Sequence, residues 1–157
     1  IEVDELRHPI FVHQRRLIPD SEGAGRFRGA LGAYSEFAPV DCDMIVAYIS
    51  DGNINPAQGT RGGLAGGCSA QYRKKPDGSL EPLPPCAEIL IKSDERMVSI
   101  SAGGGGYGAP TEREVERVIR DVREGWVSRE RARDIYGVVL TPALTLDHVA
   151  TQQLRSK

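Results

Sequence analysis

Five glycines in six residues, Gly103-Gly104-Gly105-Gly106-Tyr107-Gly108, separate a segment that reads as a strand, residues 96–102, from a helical pattern that opens at Thr111. Glycine has no Cβ, so it takes positive φ without strain and lets another group come close to the main chain; this density demands a constrained turn. The run is either a binding loop or a packing device, and the rest of the chain must be organised around one of the two.

Upstream of the run, short segments rich in β-branched and aromatic residues follow one another: Ile10 to His13 with Leu17-Ile18, Ala33 to Phe37, Met44 to Ile49, Ile89 to Ile91 and Met97 to Ile100. Each is bounded by Gly, Pro or Asp, and Pro76-Asp77-Gly78-Ser79 has the composition of a tight turn. This succession predicts an antiparallel sheet or sandwich. After Pro110 the period changes, with Val115, Val118, Ile119 and Val122 on one helical face, Thr111 and Glu114 at capping-box spacing, and Gly125 as the stop. A second helix is predicted from an N-cap at Ser128 to Gly137, with Val127 and Ala132 placed as a hydrophobic staple. Val138 to Leu140 then reads as a short strand or extended segment, and Leu146 to Leu154 as a docking helix capped by Asp147. The expected fold is α+β: a β-rich region with glycine-rich loops over residues 1–109, a helical pair and short strand of the same domain over 110–140, and a tail helix over 141–157.

Function classes fall away on charge and composition. The formal net charge of -2 leaves no basic surplus to neutralise phosphates, so nucleic acid is not an expected partner. No apolar stretch approaches the length of a membrane span, and the first residues lack the basic and apolar regions of a signal peptide. Cys42, Cys68 and Cys86 are odd in number and never form a C-x-x-C pair, which argues against a disulfide framework or zinc site and fits reduced thiols in a cytosol.

Gly103, Gly105 and Gly108 satisfy G-x-G-x-x-G, which before a helix would seat a pyrophosphate, but a glycine run satisfies many patterns and no βαβ unit follows. His8 and His13 would point to opposite faces of a strand and so do not chelate. Asp41, Cys42 and Asp43 read as a turn in which the carboxylates bond nearby amides. Ser21, Ser50 and Cys68 are possible nucleophiles with no base supplied by spacing. Arg26, Arg28 and Arg61 sit inside two long glycine loops, residues 19–32 and 51–67, where guanidinium forks suit a carboxylate or phosphate; the alternative is an internal salt bridge.

Four blocks in order carry a resemblance: Pro19-Asp20-Ser21-Glu22-Gly23-Ala24-Gly25-Arg26-Phe27-Arg28-Gly29-Ala30-Leu31-Gly32, then Gly103 to Gly108, then Asp121-Val122-Arg123-Glu124-Gly125-Trp126-Val127-Ser128, then Tyr136 to Leu140. Together they resemble the C-terminal part of the hydantoinase B/oxoprolinase family. The resemblance implies a role in opening a cyclic amide, or in carboxylating a ketone, with ATP consumed by a hydantoinase A-type partner. It also implies that metal and reaction centre lie in an upstream hydantoinase B-type region. This chain is then expected to bind no cofactor, to use ATP and a divalent metal held elsewhere in the complex, and to be inactive alone. No catalytic residue is carried over. The candidates for substrate or interface contact are Arg26, Arg28, Arg61, Gly103, Gly104, Gly105, Gly106, Tyr107 and Gly108.

Overall fold

In the computed structural model, which describes residues 1–156, the strand-forming segments make one sheet and one ribbon. Strands β1 (Ile10–Leu17), β2 (Ala33–Pro39), β4 (Ala70–Lys74), β5 (Leu80–Pro82) and β7 (Arg96–Ile100) form an antiparallel sheet in the order β1-β2-β7-β4-β5. Strands β3 (Met44–Ile49) and β6 (Cys86–Ile91) pair separately as an antiparallel ribbon. Period-2 alternation fixes the faces: Ser35 lies opposite Ser99 and Ser99 opposite Gln71, while Phe37 lies opposite Met97 in the next row. The ribbon's outward positions are apolar except for Glu88, with Ile45 paired to Leu90, Ala47 to Glu88 and Ile49 to Cys86.

β1 is longer than the two pieces the sequence suggested, because a bulge between Val12 and Gln14 carries His13 without breaking the pairing. His8 is the C-cap of a short helix α1 (Glu2–Arg7) and lies outside any strand. β4 is polar, and its long side chains are held by carboxylates: Lys74 by Glu36 and Arg73 by Glu81 and Glu95.

These strands belong to a unit made of Ile1–Leu17, Ala33–Asn55 and Cys68–Ala102. A second unit is made of Ile18–Gly32, Pro56–Gly67 and the chain from Gly103 onward. The first long glycine loop and residues 56–67 of the second therefore group with the glycine run and the helices, a division that differs from a boundary at residue 109.

In the second unit the helices are α2 (Val115–Arg123), α3 (Arg129–Asp134) and α4 (His148–Arg155). The expected capping box is absent. Thr111 lies in a 3-10 turn, Pro110–Glu112, and Glu114 is the N-cap of α2 without a side-chain cap bond. Arg113, at φ -64° and ψ 134°, separates turn from helix, and its side chain turns inward to Asp121. A continuous helix would set these two about 12 Å apart along the axis.

α2 ends as expected at Gly125, φ +71°, in a Schellman motif: Trp126 N donates to Asp121 O and Gly125 N to Val122 O. Ser128 Oγ caps α3 by accepting from Arg131 N at 3.1 Å, and Asp147 Oδ1 caps α4 by accepting from Ala150 N at 3.0 Å. Val127 and Ala132 are both buried, as a staple requires. Residues 138–140 contribute a single bridge, Leu140 to Leu146, rather than a strand of a sheet. Val118, Val122, Val127, Ala132, Tyr136, Val138, Leu140 and Ala24 form the core of this unit.

Candidate functional site

The glycine run is the middle segment of three in the second unit. On one side Gly23 N donates to Gly104 O at 2.7 Å, Gly104 N to Ala30 O at 2.9 Å, and Phe27 and Tyr107 exchange both backbone bonds at 3.0 and 2.9 Å. On the other side Gly106 N donates to Leu64 O, Thr60 N to Gly106 O, Gly103 N to Gly67 O and Gly108 N to Thr60 O, all within 3.0 Å. Glycine is required here for close approach: a Cβ on Gly103 would strike the carbonyl of Ser21, and one on Gly63 the carbonyl of Gly106. Within the run only Gly108, φ +74°, needs the left-handed region.

The amides of Gly103, Gly104, Gly106, Tyr107 and Gly108 thus all donate to backbone carbonyls. They do not cradle a phosphate, and the helix that follows begins only at Val115. The run is a packing device, and what it presents lies along its edge. Tyr107 and Phe27 are 44% and 52% exposed, with ring centroids 6.3 Å apart. The Arg61 guanidinium carbon lies 5.7 Å from the Tyr107 centroid, and that of Arg26 5.6 Å from the Phe27 centroid. Arg26, Phe27, Tyr107 and Arg61 therefore form an exposed row of cations and rings on a rigid backbone platform. Arg61 itself sits at φ +52°, an uncommon conformation for a non-glycine residue, fixed where Thr60 O accepts from Gly63 N at 3.0 Å.

Arg28 stands apart from this row. Its Nε and Nη2 donate to Asp121 Oδ2 and Oδ1 at 2.9 and 3.2 Å, and its guanidinium lies 5.3 Å from the Trp126 ring centroid. Burial opposes the guanidinium charge, but the hydrogen bond and the negative charge of Asp121 outweigh it and raise the Arg28 pKa. Asp121 also accepts from Arg113 Nη2 at 2.9 Å, and Arg113 Nη1 donates to Arg26 O at 3.2 Å.

A second buried carboxylate, Glu22, accepts from Arg131 Nε at 2.7 Å and from Tyr136 OH at 3.0 Å. Burial and the Glu22 charge push the Tyr136 hydroxyl well above its ordinary pKa, so it remains a donor. Asp20, at φ +61°, accepts from Ser128 N at 2.7 Å through Oδ1. Glu22, Arg113, Asp121, Arg131 and Tyr136 were not candidates in the sequence. Asp121 gave a signal all the same, since it occupies the apolar stripe of α2 between Val118 and Val122.

Of the possible nucleophiles, Ser21 closes its own loop by donating to Ile18 O and accepting from Gly32 N, and Ser50 pairs with the Ser69 hydroxyl at 2.6 Å. Cys68 is exposed, and all three cysteines are free. Asp43 bonds the distant amide of Ser93 at 2.9 Å rather than one of its own turn. Among the described residues no group of three or more His, Cys, Asp or Glu is placed to hold a metal ion, and no helix is long and apolar enough to cross a membrane.

A β-rich α+β chain with this interleaved glycine platform has relatives. Residues 1–110 match the Hydantoinase B/oxoprolinase family, and the chain belongs to that family. It is 34% identical over 160 residues to the caprolactamase beta subunit of Pseudomonas jessenii, covering 99% of this chain and 28% of that protein. It is 29% identical over 157 residues to the B component of a putative D-/L-hydantoinase from Pseudomonas sp. strain NS671, covering 99% of this chain and 26% of that protein. The crystal structure of ATP-dependent caprolactamase from P. jessenii superposes with a TM-score of 0.82 at 28% identity, over 100% of this chain and 28% of that one. A nucleotide-free acetone carboxylase structure shares the fold, with a TM-score of 0.75 at 19% identity over 99% of this chain and 25% of that one. The chain spans little more than a quarter of the length of these relatives. The blocks at 121–128 and 136–140 lie beyond the family match but within the alignments to both Pseudomonas proteins.

Proposed function

We propose that this chain serves an ATP-dependent enzyme that opens cyclic amides, as the C-terminal portion of a hydantoinase B-type subunit. It completes that subunit's fold and contributes a contact surface for a hydantoinase A-type partner that uses ATP in the cytoplasm. The observation that carries this reading is the exposed row Arg26, Phe27, Tyr107 and Arg61. Arginine and aromatic side chains are the types enriched where protein surfaces meet, and here a backbone with closed hydrogen bonds holds them at low entropic cost. ATP and a divalent metal act elsewhere in the complex, and the isolated chain is inactive.

The test is co-expression of the chain with a hydantoinase A-type partner and the upstream hydantoinase B-type region, with Arg26→Ala and Arg61→Ala compared by sedimentation and by ATP-dependent ring opening. Loss of assembly establishes the interface. Loss of turnover in a complex of unchanged size places the row on the cleft border instead. A complex with normal size and turnover in the double variant sinks the reading.

A second reading rests on 24% identity over 174 residues to the acetone carboxylase alpha subunit of Xanthobacter autotrophicus, a span covering 89% of this chain. On that reading the complex carboxylates a ketone. Bicarbonate-dependent consumption of ATP with a ketone, and none with a lactam, distinguishes it.

A further inference from the structure

The ribbon of β3 and β6 has two faces, and only one turns toward the sheet. Val46 and Tyr48 point inward, where they line a cleft with Phe37 and Met97. The other face consists of three rows, Ile45 beside Leu90, Ala47 beside Glu88 and Ile49 beside Cys86, and all six residues are exposed. Ile49 is 84% exposed and Ile45 65%. A groove of about 470 Å³ runs along this face between Ala47, Ile49, Cys86 and Glu88. Two strands alone are marginal in water, and an apolar face on such a ribbon invites unwanted association unless something covers it.

The face also carries a charge that selects its cover. Glu88 occupies the middle row and makes no ion pair among the described residues. Burying a carboxylate under apolar groups is costly, so the covering surface must bring a cation to that row and apolar side chains to the rows on either side. A second copy of the chain fails this requirement. Seated face to face over the same three rows, it brings both Glu88 carboxylates into one row, directly opposed or diagonal, with no cation between them. Apolar faces of this kind belong to permanent contacts, which resemble a domain core cut in two, and differ from the arginine-rich row of the other unit. The two Pseudomonas relatives, of which this chain matches 28% and 26%, carry the remainder in the same polypeptide. We propose that the outward face of the ribbon is the docking surface for the upstream hydantoinase B-type region, which sets a Lys or Arg on Glu88 and apolar side chains on Ile45, Leu90 and Ile49. The identity of that partner rests on the reading of the chain as the C-terminal portion of a hydantoinase B-type subunit.

The experiment uses the full chain, alone and co-expressed with the upstream hydantoinase B-type region as a separate polypeptide, and follows alkylation of Cys86 by iodoacetamide from the mass of its peptide. Expected is a monomer when alone, and in the complex an alkylation rate lower by about tenfold or more, because the covered thiol is no longer accessible. The double variant Ile45→Thr with Ile49→Thr keeps β-branched residues at exposed positions, so the melting temperature of the isolated chain should hold while affinity for the upstream region falls about tenfold or more. Glu88→Lys, which sets like charges together, should weaken binding further than Glu88→Gln does. Three results overturn the site: Cys86 alkylated as fast in the complex as alone, affinity unmoved by the isoleucine pair and by Glu88→Lys, or a dimer of the isolated chain that the isoleucine pair disperses, which assigns the face to a second copy. The two ideas separate in the assembled enzyme. A complex that opens cyclic amides with Cys86 still open removes the site and leaves the function standing, whereas protection of Cys86 in an assembly that opens none removes the function and leaves the site. Failure of the wild-type chain to form any complex removes both.

Discussion

Arg28 and Asp121 are separated by 93 residues and meet as a two-point ion pair, Nε to Oδ2 at 2.9 Å and Nη2 to Oδ1 at 3.2 Å, with the carboxylate 1% exposed. This contact pins the loop of residues 18–32 to helix α2, and that loop carries Arg26 and Phe27 to the surface. An arginine that reads in sequence as a ligand contact thus works from inside, and its neighbour two positions earlier is the exposed one.

Removing one partner of a buried pair strands the other, so Asp121→Ala, which leaves both Arg28 and Arg113 without their carboxylate, should cost about 3–5 kcal/mol. Arg28→Ala should cost less, about 1–3 kcal/mol, because Arg113 still pairs with Asp121. Arg26→Ala and Arg61→Ala lie on the surface and should stay within about 0.5 kcal/mol. Urea unfolding of the four variants checks the order; equal losses at Arg26 and Arg28 would contradict the division between exposed row and buried pair.

The glycine platform makes a sharper steric prediction. Gly63 has no positive φ, so alanine there is conformationally permitted, but its Cβ would enter the carbonyl of Gly106 and force the two segments apart. Gly63→Ala should lose at least ~2 kcal/mol by overpacking. Gly78→Ala meets no atom within 4 Å and carries only the strain of φ +84°, about 1 kcal/mol. Thermal unfolding of both variants compares a backbone collision with a backbone preference; similar losses would mean that the segments can give way.

At Ser128 the hydroxyl cap on Arg131 N is the only side-chain cap seen on α3 among the described residues. Ser128→Ala should cost about 1 kcal/mol and Ser128→Asp should recover most of it, since Asp caps as well as Ser. Denaturant midpoints at neutral pH decide this, and an Asp variant no better than Ala would mean that the cap contributes little.

Features set by neighbours in sequence were legible: the Schellman stop at Gly125, the cap at Ser128, the turn at Gly78, and strands rich in β-branched and aromatic residues such as Met44–Ile49. Features set by distant partners were not. Thr111 and Glu114 have capping spacing, yet Arg113 leaves the helical path to reach Asp121, and a tertiary ion pair overrides the local signal. β4 is too polar to announce itself, because its stabilisation comes from carboxylates on other strands. The glycine run announced a constraint without its cause, since its partners are the loops near Ser21 and Leu64, and loop pairing leaves no periodicity.

Glu36 supplies the pH dependence. Burial in the sheet would raise its pKa, but hydrogen bonds from Tyr34, Arg96 and Lys74 outweigh that and hold the carboxyl down to about 2 from an ordinary 4.5. A carboxyl depressed on folding contributes stability that is fully present above its unfolded value and is lost as pH falls through the folded one. Between pH 4.5 and 2 the protein should therefore lose up to ~3 kcal/mol through this group, and Glu36→Gln should remove that part of the acid slope while leaving the contribution of other carboxyls. Tyr34 gives an independent readout. Burial and its bond to Glu36 push its hydroxyl up to about 12, so its contribution is present below 10 and lost as pH rises through 12. In Glu36→Gln the Tyr34 absorbance titration should move back toward 10. Unfolding midpoints from pH 5 to 2, with the alkaline titration of both proteins, test the cluster; parallel acid slopes and an unmoved Tyr34 titration would show that Glu36 is not held by these three donors.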